Sequence, residues 1–308
     1  MDRRGFLYGA LASSAAVVTV DTLQAATLPL TKKGSLDFRQ VDVFSKIPLK
    51  GNPVAVVVGA DHLSTEQMSA FSVWTNLSEA TFLLKPTSPA ADYRVRIFLG
   101  KDEVPFAGHP TLGTCRAWLS TGRKPKGKLI VQECGIGLVS IRQEDERLAF
   151  SAPPLTRTGS VDAPTVSKIA GGLGIAVDRI RQAQWVGNGI DWVAVMLDSR
   201  EEVLAIKPDY AKLAPLAIGV IARCDKKRDN IDSDFEVRAF YGLEDPVTGS
   251  LNAGLAKWMI GAGIAPKSYI VSQGTAIGRD GRVYITTEDD KIWVGGYTTT
   301  VLSGTAQI

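Results

Sequence analysis

Two short stretches carry the residues best suited to chemistry. Phe106–Thr114 reads FAGHPTLGT, and Leu243–Ser250 reads LEDPVTGS. Laid over each other, HPTLGT falls on DPVTGS, with His109 on Asp245, Pro110 on Pro246, Gly113 on Gly249 and Thr114 on Ser250, 136 residues apart (245 − 109). Each is expected to open a helix. The free N–H groups of a helix start, with the helix dipole, attract an anion, and a hydroxyl from Thr114 or Ser250 adds a donor. Two such starts facing each other would hold a small carboxylate-bearing molecule, with His109 and Asp245 projecting at it from opposite sides. The plainer alternative is that Asp245 caps its helix and His109 packs in a turn.

A third candidate is Glu79, in Asn76-Leu77-Ser78-Glu79-Ala80-Thr81-Phe82-Leu83-Leu84. It stands at the entrance of a nearly continuous apolar strand. A carboxyl group there is expected to be desolvated, which raises its pKa and suits it to general acid/base work near neutral pH. An ordinary acidic residue at a strand entrance is the competing reading.

Other chemistries are not encoded. There are only two histidines, His62 and His109, and three cysteines, Cys115, Cys134 and Cys224, with no CxxC pair and no metal-ligand spacing. No HExxH, EF-hand or Walker A pattern occurs. Gly171-Gly172-Leu173-Gly174 lacks a third spaced glycine and follows a helical run, so it is not a dinucleotide-binding turn. No metal and no cofactor is expected. The net charge of +3, without a basic tract, gives no reason to expect nucleic acid as a partner. An apolar content of 45% is that of a chain able to bury a full core.

The elements that position these residues come in two similar sets, about Leu36–Pro153 and Pro154–Ile308, divided at Ala152-Pro153-Pro154, with the last strands able to cross to the first set. Each begins with an Asn turn and a strand: Gly51-Asn52-Pro53 before VAVVV, and Gly187-Asn188-Gly189 before DWVAVML. An alternating strand follows, Tyr93–Phe98 in the first set and Phe235–Phe240 in the second, 142 residues apart. The stretch from strand to loop thus reads as six residues longer in the first half. Helices are expected over Thr111–Ser120 and Val247–Ile260, each followed by hairpin strands. The pattern is α+β with two related lobes, and a duplicated domain commonly forms its site at the seam.

Residues 1–26 stand apart. Paired arginines, Arg3-Arg4, precede a mildly apolar Ala-rich stretch that ends in Ala25-Ala26. This is the layout of a twin-arginine export signal, too short and too weakly apolar to be a membrane anchor. A periplasmic location is expected, or a cytoplasmic one if the segment is only an extension.

QVDVFSKIPLKGNPVAVVV, NLSEATFLL, PFAGHPTLGT, EDPVTGS and QGTAIGRDGRVY with WVGG, in this order from about Phe38 to Gly304, resemble the PhzF family of phenazine-biosynthesis-type isomerases. That family is similar in fold to diaminopimelate epimerase. The resemblance implies two pseudo-symmetric lobes, each a mixed β-sheet wrapped around a central helix, a site in the cleft, and a homodimer. It also implies a cofactor-independent proton shift, allylic or epimerising, on a small amino or hydroxy acid. Glu79 would be the shuttle. His109, Asp245 and Ser250 would orient the substrate, and Gly108 and Gly249 would donate backbone N–H groups to its carboxylate. The epimerase relatives carry one cysteine per lobe at the helix starts. Here the resemblance puts His109 and Asp245 at those places, which argues against a two-thiol racemase.

The chain departs from the family pattern at Ala80, at Phe98-Leu99-Gly100, and in the shortened Phe240–Leu243 run. The substrate is therefore not fixed by the resemblance. A non-catalytic periplasmic binder of a small carboxylate is the alternative, and retention of Glu79 argues against it.

Overall fold

The computed structural model describes residues 34–308, so the expected export signal lies outside the described residues. The first half contains β1 (Ser35–Val43), β2 (Asn52–Val58), α1 (Thr65–Thr75), β3 (Glu79–Leu84), β4 (Tyr93–Leu99), β5 (Asp102–Val104) and α2 (Gly108–Ser120). It continues with β6 (Ile130–Cys134), β7 (Gly137–Glu144) and β8 (Arg147–Ser151). Then come β9 (Arg157–Ser160), α3 (Ala163–Leu173), β10 (Gln182–Gly187), β11 (Trp192–Met196), α4 (Arg200–Ala205), α5 (Tyr210–Leu213) and β12 (Ala217–Arg223). The chain ends with β13 (Phe235–Phe240), β14 (Glu244–Asp245), α6 (Gly249–Gly261), β15 (Ser268–Gln273), β16 (Gly281–Glu288) and β17 (Lys291–Gln307).

Strand pairing differs between the halves. In the first, β1, β2, β3, β4, β6, β7, β8 and β17 pair in that order, and β17 pairs back to β1, so eight strands close into a ring. Helix α2 packs against β1, β2, β3, β8 and β17 of this ring, and all but its last turn is buried apart from Arg116. In the second, β9 to β13 pair in sequence and continue through β15 and β16 to β17, with no pairing between β9 and β17. This sheet stays open and packs on α6 through β10, β11, β16 and β17. The expectation of two alike wrapped sheets is corrected accordingly: one half is a closed barrel and the other an open sheet. The cause lies in β17, whose seventeen residues are long enough to serve β16 and β8 at one end and β1 at the other. Residues Ser35–Ile308 form one compact unit.

A helix enclosed on all sides is apolar or small-residued around its whole circumference, and α2 and α6 meet this with glycines where the wall comes close. A Cβ on Gly113 would lie 2.3 Å from Val54 Cγ1, and one on Gly254 would lie 2.3 Å from Val186 O. These glycines are 141 residues apart (254 − 113), as are the helix starts Gly108 and Gly249 (249 − 108), and the strands β4 and β13 begin 142 apart (235 − 93). The structural register of the repeat therefore aligns Gly108-His109 with Gly249-Ser250. The register of 136 that placed His109 on Asp245 is corrected, and the apparent six-residue difference between strand and loop shrinks to one (142 − 141). Pro110 is the third residue of α2, whereas Pro246 precedes α6, so the matching prolines are a coincidence of spelling.

Outer helices complete the layers. Helix α1, started by a Ser64–Gln67 capping box, covers Ala80, Phe82 and Leu84 of β3 through Met68 and Phe71. Helices α3, α4 and α5 cover β11, β12 and β13 in the same way. Side chains alternate along β3. With Ala80, Phe82 and Leu84 facing outward, Thr81 and Leu83 face α2, and Glu79 shares their side.

Candidate active site

The starts of α2 and α6 meet head to head. A Cβ built on Gly108 would lie 2.6 Å from the Gly249 Cα, and one on Gly249 would lie 2.8 Å from the Gly108 Cα. Neither helix has a side-chain cap on its first N–H groups. The first N–H groups of a helix have no acceptor within it, and the first backbone bonds recorded here are Thr111 N to Ala107 O and Asn252 N to Thr248 O. A cavity of about 300 Å³ opens at this junction. Its wall includes Glu79, Gly108, His109, Asp245, Gly249 and Ser250, so every residue expected at the site reaches it. Thr114, the other hydroxyl considered as a donor, does not. It is buried inside the barrel and donates to Thr81 Oγ1 at 2.9 Å.

Glu79 is 8% exposed and His109 3%, with His109 Nε2 3.2 Å from Glu79 Oε2. That distance would suit an ion pair, but burial drives both groups neutral. The Glu79 carboxyl is pushed up to about 8, first by desolvation and then by the nearby Asp245 charge. Desolvation pushes the His109 imidazole down to about 3. The contact is thus between a carboxylic acid and a neutral imidazole. Among the described residues, neither Glu79 Oε2 nor His109 Nε2 has an aligned hydrogen-bond partner, so both keep bonding capacity unused.

Asp245 is held differently. It lies on β14, four residues ahead of α6, and does not cap the helix. Its Oδ2 accepts from Thr248 Oγ1 at 2.6 Å and its Oδ1 from Asn52 Nδ2 at 2.7 Å. Burial raises its pKa, while these two donors act against that and favour the charged form. Gln273 steadies the loop, donating to Asp245 O and Thr248 Oγ1 and accepting from Thr248 N. Ser250 Oγ accepts from Trp192 Nε1 at 3.2 Å, which leaves the Ser250 hydroxyl proton free to donate into the cavity.

Trp192 and Ile190 were missed in the sequence; with Leu77, Leu99, Tyr241 and Leu243 they give the cavity an apolar side. Tyr241 is 47% exposed and stands edge-on to Trp192, so the shortened Phe240–Leu243 run forms part of the cavity rim. Asn52, fully buried, joins the halves. The twin Asn turns were the available signal for it. Among the described residues, no Lys or Arg lines the cavity, so a substrate carboxylate there would be met by backbone N–H groups, Ser250 and His109. The three cysteines are unpaired, and burial pushes the Cys115 thiol up to about 12, unsuited to acting as a nucleophile.

The chain is also similar to known proteins. Residues 41–304 match the phenazine biosynthesis-like protein family, PhzC-PhzF. The chain belongs to this family. It is 34% identical over 289 residues to antisense-enhancing sequence 1 of Schizosaccharomyces pombe, covering 87% of this chain and 97% of that one. It is 33% identical to the trans-2,3-dihydro-3-hydroxyanthranilate isomerase of Pseudomonas aeruginosa, over 80% and 89% of the two chains. Among solved structures, a PhzF-family protein of Bacillus anthracis superposes with a TM-score of 0.73 at 22% identity, covering 89% of this chain and 99% of its own, a likeness of fold.

Proposed function

We propose that this PhzF-family chain is a cofactor-independent isomerase that moves a proton on a small carboxylate-bearing amino or hydroxy acid. The observation that carries this is Glu79, a buried acid in the cavity wall with its proton held to about pH 8 and its Oε2 unpartnered. Such a group exchanges a proton near neutral pH without a large driving force. In this reading the two halves act as two lobes, and the ligand lies in the cleft between them. Its carboxylate rests on the N–H groups at Gly108 and Gly249, with the Ser250 hydroxyl as a further donor. Asp245 holds its amino or hydroxyl group. In its ionised form Glu79 removes a proton from a carbon next to an activating group, becoming the carboxylic acid, and returns it to an allylic carbon, or to the same carbon from the other face in an epimerisation.

The similarity to a protein named for isomerising trans-2,3-dihydro-3-hydroxyanthranilate supports the reaction class. The apolar side of the cavity favours a substrate whose body is uncharged. Export by residues 1–26 and assembly as a homodimer belong to the same proposal. The test is a screen of small amino and hydroxy acids in deuterated water, reading replacement of a carbon-bound proton. Exchange that survives in Glu79→Gln would remove Glu79 from the mechanism, and the absence of exchange with any acid that binds would favour a binding protein.

A further inference from the structure

The contacts around Asn52 identify a positioning residue that sets the state of His109. Asn52 Nδ2 lies 2.7 Å from Asp245 Oδ1, 2.9 Å from Val247 O and 3.2 Å from His109 Nδ1. Oxygen and nitrogen of an amide side chain must be assigned from such contacts, and here they leave one choice. Val247 O is a backbone carbonyl and can only accept. Asp245 Oδ1 belongs to a carboxylate whose other oxygen already accepts from Thr248. Turning the amide over would set its carbonyl oxygen against both. The NH₂ face is therefore fixed toward the second half of the chain, and the nitrogen nearest His109 Nδ1 is a donor.

The two protons of that NH₂ serve three acceptors, with the two oxygens closer, so the contact to Nδ1 is a shared one; an amide nitrogen accepts nothing, and a proton on Nδ1 would face it without a partner. We infer that Asn52 holds His109 as the neutral tautomer with its proton on Nε2, the ring nitrogen 3.2 Å from Glu79 Oε2. His109 then serves as a hydrogen-bond donor toward the reacting groups and not as their base. The base remains Glu79, so the inference rests on the proposed function while adding a residue and a direction of donation to it. Helix position agrees, because His109 is the second residue of α2, where the positive end of the dipole disfavours imidazolium. Asn52 makes these contacts from the first residue of β2 to a loop 193 residues later, so one side chain ties the imidazole of one half to the carboxylate of the other.

The test needs no substrate. The chain has two histidines, and His62 is exposed, so ¹⁵N-histidine labelling gives two spin systems, told apart by a His62→Gln variant. In the wild-type protein at neutral pH, the His109 Nδ1 resonance is expected far downfield, as an unprotonated imidazole nitrogen, with Nε2 upfield and coupled to a proton. Protonation found on Nδ1 would overturn the inference whether or not the protein is an isomerase. Asn52→Asp keeps the shape but replaces the donor with an acceptor. It is expected to move the His109 proton to Nδ1 or to yield imidazolium, with His62 unchanged. An unaltered His109 spectrum in a folded Asn52→Asp protein would also overturn it. Should that variant not fold, the wild-type spectrum decides alone. Loss of deuterium exchange in Glu79→Gln tests the isomerase reading separately.

Discussion

Gly108 and Gly249 are the closest approach between the two central helices, with room for neither to carry a methyl group. A Cβ on one would lie within 3 Å of backbone atoms of the other, and backbone cannot swing aside as a long side chain can. Gly108→Ala or Gly249→Ala must push the two helix starts apart. Overpacking of this kind costs about 1–3 kcal/mol, and the upper end is expected here because both contacts are main chain. Urea denaturation checks the loss. Because the same atoms form the cavity floor, ligand binding is expected to weaken more than stability alone accounts for.

The repeat itself was legible, but its register was not. Matching letters put His109 on Asp245, because Pro110 and Pro246, and Gly113 and Gly249, coincide at a spacing of 136. Packing ignores that spelling. What is repeated is a pair of small residues five apart, Gly108 and Gly113 against Gly249 and Gly254, needed because one end of each helix abuts its twin and the next turn abuts a strand. Only contacts across the fold reveal that demand. Glu79, by contrast, was readable from its neighbours, since burial follows from the apolar strand it begins. Asn52 and Trp192 act through partners 193 and 58 residues away, Asp245 and Ser250, and no local pattern announces such distances. Nor could strand content foretell that β17 would close one sheet and leave the other open.

Replacing Glu79 removes the titrating group and keeps its shape. Glu79→Gln is expected to lower turnover by about 10²–10⁴-fold, the usual worth of a positioned acid/base, with KM for the substrate changed little. His109→Gln retains a donor near the cavity and should fall less. Steady-state kinetics on the substrate found by deuterium exchange makes the comparison. Equal losses in the two variants would contradict the division of roles between a proton carrier and a donor.

Stability should report the same proton. The Glu79 carboxyl has an ordinary value of 4.5 and is pushed up to about 8 on folding. Between those values the folded chain holds a proton that the unfolded chain has released. The contribution is complete below about 4.5 and is lost as pH rises through 8. His109 runs the other way, from 6.5 down to about 3: its contribution is complete above 6.5 and is lost as pH falls toward 3. Between 4.5 and 6.5 the two slopes oppose and cancel. Glu79→Gln removes only the alkaline arm, so its stability relative to wild type should climb steadily from about pH 5 to about pH 8. Denaturant midpoints across that range measure it, and a constant difference would mean that Glu79 is already ionised at low pH.

Trp192 and Ser250 act on the ligand through one hydroxyl. Ser250 Oγ accepts the Trp192 indole N–H, and that acceptance leaves its own proton free to donate into the cavity. Trp192→Phe deletes the N–H and keeps most of the apolar wall. Ser250 then loses its only named donor and is free to rotate and accept from elsewhere. A hydrogen bond of this kind is worth about 1 kcal/mol, so the substrate should bind about 5-fold more weakly, as KM and not as turnover. Ser250→Ala removes the donor outright and should reproduce that loss at least in full. Because both changes act on the same bond, the double variant Trp192→Phe/Ser250→Ala should bind no worse than Ser250→Ala alone. Fully additive losses would show that Trp192 acts on the ligand by packing and not through Ser250.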